Sequence, residues 1–419
     1  MSLKRLLLIA LLISTIVQGS FIDLVKGKLS NDPSLETIMR DFKSSKINLE
    51  TLGSFATPYI SLSGDVNMSL EDIKSSSLIP AVRWNAFGTS VLISNEFDVA
   101  GYEWKGFSVG ISGDIDSVIS YTRDFKKREA VVLLKKFQVI NTKNSLILEA
   151  FSDVFNWKIS ILKKPILLRK LEINEKNLKD MKGKDFSEEE ILKKQREILS
   201  IQKELISVES KSKENFSEND FQEAFELAKK MAEASCVISR EDIEAYKLYE
   251  EAYKEEEKWL ALEDLPQISF SVSYKENPPK NVDNWSISLS FAWNIWDRGE
   301  KESKKLVTAS NKRYYRLKYE NTLKDLKDTL ENIKDQIRMK EIDLETAKIN
   351  QRISKIELER AKKAYENGLI SEEDLELYKL SFEEDQINLL RTILDLLILK
   401  LQYLSTCGAD LSELLGVNQ

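Results

Sequence analysis

The chain has to build its chemistry without histidine: its 419 residues include none, and only two cysteines, Cys236 and Cys407. The commonest general base and the commonest metal ligand are therefore missing. No Ser-His-Asp set, Gly-rich phosphate loop or Cys/His cluster is present. No catalytic, cofactor or metal site is expected, and the chain does not read as an enzyme. Carboxylates are plentiful, 69 Asp and Glu against 62 Lys and Arg, and on helical faces they serve solubility. One acidic cluster has a defined spacing. Ser371-Glu372-Glu373-Asp374 follows Gly368-Leu369-Ile370 and reads as a capping box, a hydroxyl and an acid three residues apart at a helix start. The same spacing recurs at Ser187-Glu188-Glu189-Glu190, just after Gly183 and Phe186. A net charge of −7 gives no reason to expect nucleic acid.

Both clusters sit where long helical patterns reverse. Only 14 Gly and 7 Pro punctuate the chain, which favours long elements. Neither interrupts Glu300 to Asn367, a run of about 68 residues and about 100 Å as a helix. Leu323, Leu326, Leu330, Ile333 and Ile337 step by threes and fours, and Ile349, Ile353 and Ile356 are expected to continue that coiled-coil seam. Gly368 permits the positive φ of a tight reversal, and Ser371 caps the returning helix. Leu375, Tyr378, Phe382, Leu389, Ile393 and Leu396 carry the pattern back towards Leu404, so the two segments form an antiparallel hairpin. The first half repeats this from Asp116, with a kink expected at Pro165. The two Ser tips are about 184 residues apart, and Trp104 and Trp285 about 181, which indicates an internal two-fold duplication. The repeats are expected at 21–212, with a hairpin at about 116–211 and its tip near 183–187, and at 213–419, with a hairpin at about 300–404 and its tip near 367–371.

Between helices lie four stretches of period-two alternation, at about 58–69, 104–115, 266–275 and 285–296. In the last, Ile287, Leu289, Phe291, Trp293 and Ile295 alternate with serine, alanine and asparagine. Strands of about 10 residues with one apolar and one small polar face match the membrane-barrel pattern, with Tyr274, Trp293 and Trp296 as girdle candidates. A soluble β-sandwich is the competing reading. The connection at about 70–103 is either an external loop or further strand. Four strands cannot close a barrel, and open edges are not tolerated in lipid, so several chains must pool their strands. At the N-terminus Lys4 and Arg5 precede an apolar run, and Val17 and Gly19 occupy cleavage positions; residues 1–20 read as a signal peptide.

The segment WSISLSFAWNIWDRG, the GLISEEDL tip and the duplicated layout together resemble the TolC-like outer-membrane efflux proteins, over essentially the whole mature chain. The resemblance implies a mainly α fold with membrane β. Long antiparallel coiled-coil helices would form a trimeric α-barrel in the periplasm, continued by a 12-stranded outer-membrane β-barrel with four strands per chain. It implies a passive exit duct for tripartite efflux or type I secretion, with no cofactor. The partners would be two further copies, a periplasmic adaptor, an inner-membrane pump and outer-membrane lipid. By the same resemblance Gly368, Leu369, Ile370 and Ser371, with Gly183 and Phe186, would form the docking tips. Asp374 falls at a position where family members narrow the mouth with acid, and Tyr365 matches a tyrosine that ties the closed mouth. Leu377, one turn on, departs from the acidic pattern. In the stacked helical arrangement the ends carrying Cys236 and Cys407 meet, and a disulfide between them is expected, against two buried free thiols as the alternative. The competing functions are a periplasmic coiled-coil adaptor and an envelope-spanning spacer that conducts nothing.

Overall fold

The computed structural model describes residues 20–53, 59–68, 73–86, 89–99, 102–182, 186–213, 216–260, 267–277, 282–292 and 298–417. The expected signal segment up to residue 19, Gly183, Trp293 and Trp296 lie outside these residues. In chain order the elements are α1 (Phe21–Asn31), α2 (Pro33–Gly53), β1 (Tyr59–Met68), β2 (Ile73–Ala86), β3 (Thr89–Asp98) and β4 (Glu103–Asp114). There follow α3 (Ile115–Lys182), α4 (Glu188–Ser212), α5 (Glu218–Ala232), α6 (Glu241–Leu260), β5 (Gln267–Asn277) and β6 (Val282–Ala292). The last are α7 (Glu300–Glu366), α8 (Glu372–Cys407) and α9 (Leu411–Leu414). At 68 and 67 residues, α3 and α7 are far longer than ordinary globular helices. Pro165 lies inside α3 without ending it. Among the described residues, no helix is long and apolar enough to cross a membrane.

Two compact units result: Met1–Glu36 with Ile140–Ser239 and Leu326–Gln419, and Thr37–Val139 with Arg240–Asp325. The second unit holds all the strands among the described residues. They form one antiparallel meander in the order β1-β2-β3-β4-β5-β6. This corrects the expectation of four strands per chain: β2 and β3 occupy the 70–103 connection and pair with β1 and β4 as full members of the sheet. The expected count of 12 strands assumed four from each of three chains, whereas the sheet of one chain has six. Register aligns an apolar row across all six strands, Ile60–Val82–Ile93–Val109–Tyr274–Trp285. A second row runs Trp84–Val91–Ile111–Val272–Ile287. Apolar side chains stay open on this face, Ile287 with 81% of its surface exposed. The opposite face is rich in serine. Ser90 bonds Ser112 at 2.9 Å, and Ser94 bonds Ser108 at 2.7 Å. Phe270 fills the space beside Gly113, where an added Cβ would meet its ring at 3.2 Å. The helices of this unit are joined by stacked tyrosines, Tyr249 on Tyr315 at 4.4 Å between centroids, and by ion pairs of Lys126 with Glu255 and Lys127 with Glu256 at 2.7 and 2.6 Å.

The first unit is helical. Leu380, Ile387, Leu394 and Leu401 on α8 are buried and recur every seven residues, the spacing that keeps one face inward on a long helix. Phe21 on α1 closes onto Phe151 of α3, with ring centroids 4.6 Å apart. Asn144, 1% exposed, ties down the C-terminal segment. Its Nδ2 donates to Ser405 Oγ at 3.0 Å and the Ala409 carbonyl at 2.8 Å, and its Oδ1 accepts from the Leu411 N–H at 2.9 Å. Cys236 and Cys407 form a disulfide with Cα atoms 6.0 Å apart, and the Ser239 N–H donates to the Cys407 carbonyl at 3.0 Å.

The α7 seam also needs correction. Leu326 and Leu330 are buried as the spacing implies, but Ile349, Ile353 and Ile356 are exposed, Ile349 by 59%. The covered face continues instead through Ser354 and Ala361. Helix α7 carries two apolar stripes, and one chain covers one of them. The open stripe repeats at sevens through Ile342, Ile349 and Ile356. A matching open stripe on α4 runs Leu192, Leu199 and Ile206.

Candidate functional site: the hairpin tips

The second tip is built from backbone geometry. Gly368 has φ +70°, the left-handed region in which a Cβ is strained. Its N–H donates to the Tyr365 carbonyl at 2.9 Å, and the Leu369 N–H to the Ala364 carbonyl at 2.8 Å. This pair of bonds is a Schellman motif, which satisfies the last carbonyls of α7. An added Cβ at Gly368 would meet nothing within 4 Å, so the glycine is needed for its φ and not for space.

Two residues later the chain restarts. Ser371, in extended geometry, caps α8, and its Oγ accepts from the Asp374 N–H at 3.1 Å. The Asp374 carboxylate accepts from the Ser371 N–H at 3.2 Å and from its hydroxyl at 2.7 Å. The capping role of Asp374 is thus formed, and the same bonds hold an exposed carboxylate at a fixed place on the tip. Ser187 and Glu190 repeat the arrangement at the start of α4, with the Glu190 carboxylate 3.0 Å from the Ser187 N–H and 2.7 Å from its hydroxyl. Those bonds hold the Glu190 carboxyl below the usual glutamate range. Between cap and restart Leu369 is 75% exposed, and Phe186 and Tyr365 are also exposed, while Ile370 is half-buried.

The structure brings Tyr365, Gly368, Leu369, Ile370, Ser371 and Asp374 together in one reversal, and it sets Phe186 at the start of the other returning helix. Sequence reasoning missed what joins α8 to α3. Lys176 pairs with Glu373, Arg169 reaches Glu376 at 3.7 Å, and Lys170 reaches Glu384 at 2.5 Å. The Lys176 bond holds the Glu373 carboxyl below its usual range and raises the lysine. The only available signal was the basic end of α3, which alone suits any helix C-terminus. Among the described residues, no group of three or more His, Cys, Asp or Glu could hold a metal ion.

No family model and no curated protein matches the chain by sequence. Solved structures match it by shape. The open state of the Neisseria gonorrhoeae MtrE outer-membrane channel aligns at TM-score 0.59 and 13% identity, covering 93% of this chain and 89% of that one. The outer-membrane channel OprN aligns at 0.58 and 12%, with the same shares. The Campylobacter jejuni CmeC outer-membrane channel aligns at 0.53 and 14%, over 95% of this chain and 85% of that one. The fold is therefore that of the TolC-like outer-membrane efflux channels, the class the sequence resembles.

Proposed function

We propose that the protein is an outer-membrane exit duct of a tripartite efflux or type I secretion system, working as a homotrimer. The observation that carries this is the six-stranded sheet with an exposed apolar face and a serine face, joined to long helices of which, among the described residues, none is long and apolar enough to cross a membrane. Residues 1–20 direct export. The sheet enters the outer membrane, and the helices extend into the periplasm. Open heptad stripes on α4 and α7 supply the faces that neighbouring copies cover. A periplasmic adaptor fits less well, because adaptors carry one hairpin beside compact β-domains.

In this reading the chain is a conduit and not a catalyst, and the driving energy comes from the inner-membrane pump. The tips formed by Gly368–Ser371, with Gly183 and Phe186, dock the adaptor through exposed apolar side chains. Three copies of Asp374, each oriented by its Ser371 cap, ring the mouth, and Tyr365 ties neighbouring helices there. Such a ring favours cations and raises the electrostatic cost for anions. The test is single-channel conductance in a planar bilayer, comparing the protein with Asp374→Ala. Discrete openings that lose cation preference in the variant support a duct with a gate at the tip. Openings indifferent to the substitution remove the gate, and absence of conductance removes the duct.

A further inference from the structure

We propose that the β2–β3 hairpin is part of the membrane wall, and that three copies close, β6 of each against β1 of the next, into an eighteen-stranded barrel. This rests on the trimeric outer-membrane reading and departs from the twelve strands the resemblance implied. A hairpin standing outside the lipid would have no need of the sheet's apolar pattern. Instead Val82 and Ile93 occupy the middle of the row that crosses all six strands, and Trp84 and Val91 lie in the next. Ser94 and Ser90 of the same hairpin face the other way and bond to serines of β4. The insertion therefore keeps both the apolar and the small polar face of its neighbours.

The turns agree. Only Phe87 and Gly88 separate Ala86 from Thr89, at the end of the sheet where β1 and β4 join the helices. Short turns on the periplasmic side are the barrel rule. Parity agrees too: in a six-stranded meander β6 runs antiparallel to β1, so a second copy continues the ladder without a reversal. Within one chain β1 and β6 are edges, with strands of 10 and 11 residues, and lipid tolerates no open edge. Because barrel diameter grows roughly linearly with strand number, the exit would be about 1.5 times as wide as a twelve-stranded one.

The experiment uses the full chain reconstituted in liposomes, whose two native thiols are bonded to each other and silent. Single cysteines Val82→Cys and Ile93→Cys, labelled with a fluorophore, report contact with brominated lipid; unlabelled, they report reaction with a membrane-impermeant maleimide. Tyr102→Cys, at a position 95% exposed, is the aqueous reference, and Val109→Cys and Val272→Cys on β4 and β5 are the lipid references. The expected result is quenching of both hairpin positions like the lipid references. Maleimide reaction should be at least about tenfold slower than at Tyr102, as for groups buried in hydrocarbon. The native mass should be that of three chains. Hairpin positions that react like Tyr102 overturn the proposal while leaving the duct intact, as does a mass of two chains. If Val109 and Val272 also react like Tyr102, the membrane reading itself has failed.

Discussion

Replacing Asn144 with alanine removes the anchor of the C-terminal segment and nothing larger. The side chain is 1% exposed and serves three partners, at 3.0, 2.8 and 2.9 Å. In Asn144→Ala the Leu411 N–H stays buried without an acceptor, and the Ala409 carbonyl loses its donor. An orphaned buried group costs about 1–3 kcal/mol and an ordinary lost bond about 1, so the local penalty is about 3 kcal/mol. The bonds hold one short segment, so the effect should appear as local opening and not as global unfolding. Amide hydrogen exchange measures it directly. A penalty of about 3 kcal/mol corresponds to roughly 150-fold faster exchange at Leu411, Leu415 and Val417, if the segment opens as a unit. Asn144→Asp is the control. It keeps an acceptor for Leu411 but faces a carboxylate to the Ala409 carbonyl, so protection should recover partly as falling pH protonates it into a donor. Acceleration below about fivefold in Asn144→Ala, or acceleration spread evenly along α8, would refute the claim that these bonds anchor the segment.

Two titrations test the ion pair and the stacked tyrosines. Glu373 has its carboxyl lowered by the Lys176 bond, so the pair's contribution is present above the ordinary glutamate value of 4.5 and is lost as pH falls through the depressed one. Carboxyl-carbon NMR should show Glu373 rising towards 4.5 in Lys176→Met, and an unchanged Glu373 would remove the pair as the cause. Tyr249 is pushed up to about 12, first by burial and then by Tyr315. Its folded value lies above the usual 10.0, so its contribution is full below 10 and is lost as pH rises towards about 12. Ultraviolet titration should lose that late phenolate transition in Tyr249→Phe; a transition that persists belongs to another tyrosine.

How much was legible depended on how cleanly one face differed from the other. β5 and β6 alternate serine with large apolar residues, so period two stood out. β2 and β3 do not. Ile79 and Leu92 put apolar side chains on the serine face, giving the runs Leu78–Ile79 and Val91–Leu92–Ile93, which blur period two and leave loop and strand undivided. Pro80 also fits a central strand poorly, since proline donates nothing to the ladder. The β2–β3 register passes over Ile79 and Pro80, pairing Leu78 with Phe97 and next Ala81 with Ser94, while β1 still pairs with both. The tips were legible because a glycine reversal and a serine cap are local, fixed by a few neighbouring residues. The Lys176–Glu373 pair was not, because it joins segments nearly two hundred residues apart in the chain.

The misread isoleucines of α7 carry the wider point. Periodicity reports that a face is apolar; it does not report what covers it. Ile349, Ile353 and Ile356 keep heptad spacing as faithfully as Leu326 and Leu330, yet one chain buries only the latter pair. The sheet behaves alike, since its pattern continues to both edges and stops there unpaired. Long apolar stripes and open strand edges left by one chain in the same fold are what a closed ring of copies requires, and each is costly in isolation. Cross-linking can join the two observations. If copies pack through these helical faces, cysteines at Ile349 and Leu199 should each lie at a boundary between chains and form chain-to-chain links under oxidation. Links absent at both positions in a trimer of the expected mass would place the contact on other faces and detach the stripes from assembly.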